Sequence, residues 1–342
     1  MLTNRQLLIL QVIIDDFIET ALPVGSRAIA KREEVPFSPA TIRNDMADLE
    51  DMGYLEKTHS SSGRVPSEKG YRYYVDHIIS PYIASGNINV LEHIIEDGFI
   101  ELEQVVQKTA EVLSDLTNYT SIILGPEIFE AKLRQLQFVT TSPQTAVAIL
   151  VTNTGHVEHR SFTVPNKINA SDLEKMVNIL NDRLYNVPLV QLPHKLNREI
   201  VSLMKNYVDD FERTYDYLKA AFLHDHPVKL YVSGKTNILM QPEFKDVEKI
   251  RSFYRMMENE DEIASLLKNG TNGIKVTIGN ENKIEAIKDF SLITAPYRLG
   301  DNQMGTIALL GPTRMEYKKV ITLLNTLSHE MTDVLHVWYK QN

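Results

Sequence analysis

Ala40, Thr41, Arg43 and Asn44 lie within about one helical turn of each other and carry side chains suited to the edges of base pairs. An arginine can donate two parallel hydrogen bonds to guanine O6 and N7, an asparagine can pair with adenine N6 and N7, and an alanine admits a thymine methyl. Nearby stand Ser26, Arg27, Ser38, Lys57, Ser60, Ser61, Ser62 and Arg64. Their hydroxyls and cations suit phosphates or a minor groove, where they would position a protein without reading sequence. The chemistry expected is recognition of double-stranded DNA, with four residues at base edges and eight on the backbone or in a wing.

Other chemistries fit the sequence less well. The absence of cysteine removes disulfides, thiolate nucleophiles and thiolate metal sites together. The run VSGKT at 232–236 imitates the end of a phosphate-binding loop, but the position of its earlier glycine is Lys229. His224, Asp225 and His226 lack a second ligand pair, and His156 and His159 have no nucleophile motif beside them. The paired carboxylates Glu33 with Glu34 and Asp209 with Asp210 are consecutive in the chain and are not set to face each other across a cleft. No enzyme, metal or cofactor is expected.

The base-reading residues need a helix, and the best helix start in the sequence supplies it. Ser38 is a capping residue, Pro39 occupies the first helical position, where its missing N–H costs nothing, and Phe37 can staple against Ile42. Ile42, Met46 and Leu49 form one apolar stripe, and Gly53 stands where a left-handed cap would end the helix. Upstream, Thr3 and Gln6 make a capping-box pattern for a first helix buried through Leu7, Leu10, Ile14 and Phe17. Ser26 is expected to cap a short helix over 27–32, with Ala28 and Ile29 facing inward. Downstream, strands at 54–58 and at Arg64 and Val65 flank a polar tip at 59–63, and Ser67 caps a fourth helix. Short helix, turn, helix and polar hairpin is the winged helix-turn-helix order.

Charge tempers this expectation. The chain of 342 residues carries a net charge of -9, so as a whole it repels nucleic acid. Residues 1–80 hold nine Lys or Arg against twelve Asp or Glu, a balance of -3. From Lys57 to Arg72, however, four basic residues face one acidic residue, Glu68, which leaves a local positive wing. The composition, 43% hydrophobic and 24% charged, is that of a soluble globular chain of two or three domains. No apolar run reaches the roughly 20 residues that span a bilayer, and MLTNRQLLIL lacks a basic leader, so a cytoplasmic location without membrane contact is expected.

The rest of the chain also has readable organisation. A turn-rich break at 78–87 reads as a linker, followed by an amphipathic helix through 90–116. Strand-like runs at 121–124, 135–140 and 146–152, the last turning through NTG into VEHRSFTV, suggest an antiparallel sheet. A second strand-rich block spans 273–311. A terminal helix over 316–339 would bury Val320, Leu324, Leu327, Met331 and Leu335.

The run from PVGSRAIA through SPATIRNDMADLEDMGYLEKTHSSSGRVPSEKGYRYYVDH closely resembles the heat-inducible transcription repressors of the HrcA family. Later landmarks extend the likeness across the chain: LSDLTNYTSIILGP, TAVAILVTNTGHVEHR, EKMVNILNDRL, GKTNILMQPEF and SLITAPYRLGDNQMGTIALLGPTRMEY. The resemblance implies an α+β multidomain protein. A winged helix-turn-helix at 1–80 and a linker at 81–88 would precede a GAF-like α/β sheet domain built from 89–165 and 270–342, interrupted by an inserted, mostly helical dimerisation domain at 166–269. It further implies a homodimer on a palindromic operator upstream of chaperone operons, with the GroE chaperonin as a partner. The competing expectation is a regulator that responds to a small molecule held in the GAF-like domain.

Overall fold

Thr3 opens the first helix as its capping-box pattern requires. Its hydroxyl accepts from the Gln6 amide at 3.2 Å while its own amide donates to Gln6 Oε1 at 3.0 Å. The structure, a computed structural model, describes residues 2–58, 63–79, 102–125, 132–142, 145–153, 157–163, 170–188, 192–195, 230–268, 273–299 and 303–341. These fall into two compact units. The first comprises Met1–Gly125, Leu230–Tyr297 and Gly305–Asp333; the second comprises Pro126–Lys229, Arg298–Met304 and Val334–Asn342. The chain is a mixed α+β protein.

The first unit begins with helices α1 (Asn4–Thr20), α2 (Ser26–Ile29) and α3 (Pro39–Asp51), strands β1 (Leu55–Lys57) and β2 (Arg64–Pro66), and helix α4 (Glu68–Tyr73). A π-helical stretch, Tyr74–Ile79, continues α4. Helix α2 departs from expectation: it is shorter, its N-cap is Gly25 without a side-chain bond, Ser26 is its first helical residue, and Ala28 is exposed while Ile29 is buried. One turn of helix can bury only one such position against α3. Gly53 takes the left-handed conformation at φ 78° after α3, as its position predicts.

A five-stranded sheet forms the rest of this unit, in the order β7, β3, β10, β9, β8. Its strands are β3 (Thr120–Leu124), β7 (Leu230–Ser233), β8 (Lys275–Ile278), β9 (Phe290–Leu299) and β10 (Gln303–Pro312). Strand β3 is buried at every residue, as a central strand covered on both faces must be, and α5 (Leu102–Thr117) packs on β3 and β7. The terminal helix α10 (Tyr317–Gln341) buries Val320, Leu324, Leu327, Met331 and Leu335, all five residues its periodicity predicts. Helices α8 (Val247–Glu258) and α9 (Glu260–Lys268) complete the unit, with Phe253 stacked on Phe290 and Phe290 on Phe244.

The second unit is built on a three-stranded meander of β4 (Leu133–Ser142), β5 (Thr145–Thr152) and β6 (Val157–Thr163). Alternate residues of β5 are buried, the signature of a sheet covered on one face. Helix α6 (Ala170–Leu184) lies on β4, and its Asn181 side chain pairs with the backbone of Leu136, accepting from its amide at 2.7 Å and donating to its carbonyl at 2.8 Å. That satisfies a position on the open edge of the sheet. A short helix, α7 (Leu192–Lys195), follows.

The domain division therefore differs from the expected one. Of the strand runs in 89–165, only Thr120–Leu124 enters the five-stranded sheet; the meander is a separate sheet. Conversely Leu230–Ser233, α8 and α9, expected within an insertion, belong to the first unit, because β7 pairs antiparallel with β3 over Leu230↔Leu124 to Ser233↔Ser121. The strand patterns were legible, but a strand's own sequence does not specify its partner. The expected linker at 81–88, the start of the long helix before 102 and residues 196–229 of the expected insertion lie outside the described residues.

Candidate nucleic-acid interface

Ser38 caps α3: its Oγ accepts from the Thr41 amide at 3.2 Å and lies 2.9 Å from the Thr41 hydroxyl. Pro39 holds the first helical position. Ile42, Met46 and Leu49 are buried, so the helix presents Ala40, Arg43, Asn44 and Ala47 on its exposed side. Thr41 is half-buried and shares its hydroxyl with the cap. The side chains of Arg43 and Asn44 make no hydrogen bond or ion pair among the described residues.

Asp45 sits on the buried side of α3, and this residue the sequence reading missed. Its carboxylate, 4% exposed, accepts from Arg5 Nε at 2.6 Å and Nη2 at 3.1 Å, while the Arg5 side chain is 46% exposed. The hydrogen bond and the charge of Asp45 raise the Arg5 guanidinium above its ordinary range, so Arg5 stays charged at any relevant pH. Arg5 also lies over the Phe37 ring at 5.6 Å. The signal was available: Asp45 is three residues beyond Ile42 and four before Leu49, on the apolar stripe itself.

Two further pairs redistribute the charge that composition counts. Arg32 pairs with Asp16. Arg64 donates through Nε to Glu50 Oε2 at 2.7 Å, and its side chain is 16% exposed. Its backbone exchanges two bonds with Val24, each 2.9 Å, so Val24 adds a bridge to the edge of the β1–β2 hairpin. Gly63 permits this closeness, since a Cβ there would fall 2.8 Å from Pro23 Cβ. Arg64 therefore fastens the hairpin to α3 and does not project as a phosphate contact.

Arg27 and Lys57 are exposed and have no ionic partner among the described residues. Ser26 is half-buried at the start of α2. Ser60, Ser61 and Ser62, at the expected tip, lie outside the described residues. The exposed cations Arg27, Lys31, Arg43 and Lys57 thus remain available, while Glu50 is paired with Arg64 and Asp48 accepts from Gln6 at 3.4 Å. Each ion pair removes one charge of either sign, so the balance of -3 stands, and these four exposed cations carry the local positive charge.

Helix α4 locks this arrangement from behind. The Ser67 hydroxyl donates to Gly53 O at 2.7 Å and accepts from the Gly70 amide at 3.1 Å. Gly70 presses so closely on the Tyr54 carbonyl that a Cβ there would overlap it. Lys69 Nζ donates to Met52 O at 2.7 Å and lies 4.6 Å from the Tyr54 ring.

The VSGKT run serves packing. Gly234, at φ 69°, is hemmed in by Asn237 and the Tyr119 carbonyl, and Asn237 Nδ2 donates to Ser114 Oγ at 3.0 Å. Among the described residues no cluster of His, Asp or Glu is placed to hold a metal ion. No helix among them is long and apolar enough to cross a membrane.

Comparison with known proteins places these observations. The family model described as the HrcA protein C-terminal domain matches residues 103–321. The heat-inducible transcription repressor HrcA of Oceanobacillus iheyensis is 67% identical over 340 residues, which cover 99% of each chain. A crystal structure at 2.2 Å of a protein described as hypothetical superposes with a TM-score of 0.68 at 20% identity, covering 99% of this chain and 100% of the other; that likeness concerns the fold alone.

Proposed function

Because the chain belongs to the HrcA family, a family of heat-inducible transcription repressors, we propose that it represses chaperone operons as a homodimer bound to an inverted-repeat operator. Residues 2–79 act as a winged helix-turn-helix, with α3 as the helix that enters the major groove and the β1–β2 hairpin as the wing. The observation that carries this reading is the exposed side of α3, where Ala40, Arg43 and Asn44 stand clear beside a capped, positively polarised helix start. Arg43 and Asn44 read guanine and adenine, Ala40 meets a thymine methyl, and Thr41 assists at the edge of that contact. Ser26, Arg27, Ser38, Lys57 and the wing serines Ser60, Ser61 and Ser62 hold the backbone, while Arg64 keeps the wing in place through Glu50.

A two-fold dimer would set two such helices on half-sites separated by whole helical turns. Warming would release the operator as the marginally stable repressor loses its folded dimer, and the GroE chaperonin would restore it. The test is anisotropy titration of the full chain on the operator and on scrambled DNA, at several salt concentrations, with and without chaperonin. Operator preference that improves with chaperonin is expected. Equal binding to both DNAs by folded dimer would overturn the reading. Full recovery of affinity after heating and cooling without chaperonin would remove the proposed mode of control.

A further inference from the structure

Helix α4 has a second contact, on the side away from the hairpin. Arg72 Nε donates to Glu281 Oε1 at 2.8 Å, and its Nη2 donates to the Val276 carbonyl at 2.8 Å and to the second oxygen of Glu281. Its Nη1 donates to Asp76 at 3.2 Å, so every nitrogen of the guanidinium is engaged. One turn earlier, Glu68 accepts from the Asn280 amide at 3.1 Å and from the Asn280 side chain at 3.1 and 3.2 Å. Between these pairs Gly279, at φ 53°, leaves room for the Glu68 carboxylate, which a Cβ would strike. Glu281 is itself fixed, because its Oε2 accepts the Ile278 amide at 2.8 Å.

The two pairs therefore join successive turns of α4 to the turn that ends β8. Charges one helical turn apart, each with a fixed counterpart, set the rotation of the helix, which an apolar contact would leave free. Beside them the Tyr71 ring lies 5.7 Å from that of Tyr317, and the Tyr71 hydroxyl is buried without a hydrogen-bond partner among the described residues. A buried hydroxyl left unpaired weighs against the closed contact and regains water when the surfaces part. Such a contact is poised to open. Through Ser67, Lys69 and Gly70, α4 is also fastened to the end of α3 and to the hairpin.

We infer that Glu68 and Arg72, with Asn280 and Glu281, form a polar clasp through which the sheet positions the DNA-reading helix. All four are positioning residues: they would touch no DNA, and their effect would pass through α4 to α3. This rests on the DNA-reading role proposed above. The clasp gives the first unit a route by which loosening of the sheet reaches the operator.

Charge makes the test sharp. Glu281→Gln removes a negative charge from a protein that binds a polyanion, so electrostatics alone would tighten DNA binding. The clasp predicts the reverse, a roughly three- to tenfold fall in operator preference over scrambled DNA, within the range of ordinary coupling between sites. Arg72→Gln should produce a similar fall, and the double variant should be no worse than either single one. Asn280→Ala leaves every charge in place and should give a smaller fall of the same kind. Hydrogen exchange without DNA supplies the independent reading: protection of residues 4–79 should drop in each variant while that of β3 and β10 is kept.

Unchanged or tighter operator binding by Glu281→Gln, with unchanged exchange, would overturn the clasp. So would an equal loss on operator and scrambled DNA by Arg72→Gln with a shallower salt dependence, which would make Arg72 a phosphate ligand. Should the parent chain show no operator preference, the DNA-reading role fails, and hydrogen exchange alone decides the clasp.

Discussion

In residues 4–79 the interactions that set the helices close over a few positions: Thr3 with Gln6, Ser38 with Thr41, Ser67 with Gly70. The five-stranded sheet is assembled differently. There Thr120–Leu124 lies between Leu230–Ser233 and the segment Thr306 to Leu310, strands far apart in the chain, and its packing exists only when all of them have met. Short-range closure costs little loop entropy, whereas each long-range pairing costs more before it returns stability. Residues 4–79 are therefore cheap to form and the five-stranded sheet expensive. A heat-responsive repressor benefits from that asymmetry if the sheet also governs the reading helix.

The largest effects separate the two regions by their cores. Leu49 in α3 and Ile307 in β10 are both fully buried, and replacing either with alanine should cost about 2 to 5 kcal/mol. Leu49→Ala should abolish operator binding while the strand signal in circular dichroism survives, and Ile307→Ala should lower the melting of the whole first unit. If Leu49→Ala melts the sheet as well, the regions are one cooperative body and the contrast breaks.

Alkaline pH probes burial in both regions. Burial holds the hydroxyls of Tyr71 and Tyr317 protonated well above the ordinary tyrosine value of 10.0. The unfolded chain ionises them near that value while the folded chain keeps its protons. Stability is thus untouched by their titration below pH 10 and declines as pH rises beyond it, by about 1.4 kcal/mol per pH unit for each tyrosine. Melting measured across pH 9 to 11.5 should show this fall, and Tyr317→Phe should reduce its slope by one tyrosine's share.

Asn282 tests the sheet side at a single residue. The two hydrogens of its Nδ2 are shared among three carbonyls, Gly279 O at 3.0 Å, Ile287 O at 3.0 Å and Phe290 O at 2.8 Å, so alanine there should cost roughly 1 to 3 kcal/mol in denaturant titration. On the reading side, Arg43→Ala should cost roughly 1 to 3 kcal/mol of operator binding and relax selectivity at one base pair per half-site. Lys57→Ala should instead weaken all DNA alike and reduce the salt slope by about one. Smallest of all, Ser38→Ala should cost about 1 kcal/mol of stability by removing the cap of α3.

Much of the region proposed to read DNA was legible because capping, Pro placement and left-handed glycines act within one turn. Ser38, Pro39, Gly53 and Ser67 were identified from type and spacing alone, and each stands in the structure where it was expected. Where that locality ended, the reading weakened. Arg64 counted as a wing cation, but the chain brings it to Glu50, and Asp45 counted only as an acidic residue until α1 placed Arg5 above it. Pairing across elements decides whether a charge faces solvent or structure, and no spacing rule encodes it.

The sequence by itself determined the family, the order of the first helices and hairpin, and the buried stripe of the terminal helix, since each depends on periodicity or on an unbroken likeness of residues. Tertiary structure alone decided that Leu230–Ser233 leaves the expected insertion to join Thr120–Leu124, that the meander stands as a separate sheet, and that Arg72 reaches Glu281. A strand's hydrogen-bonding edge and a salt bridge's partner are set by which distant segments fold against each other, and a local pattern of side chains carries no record of that choice.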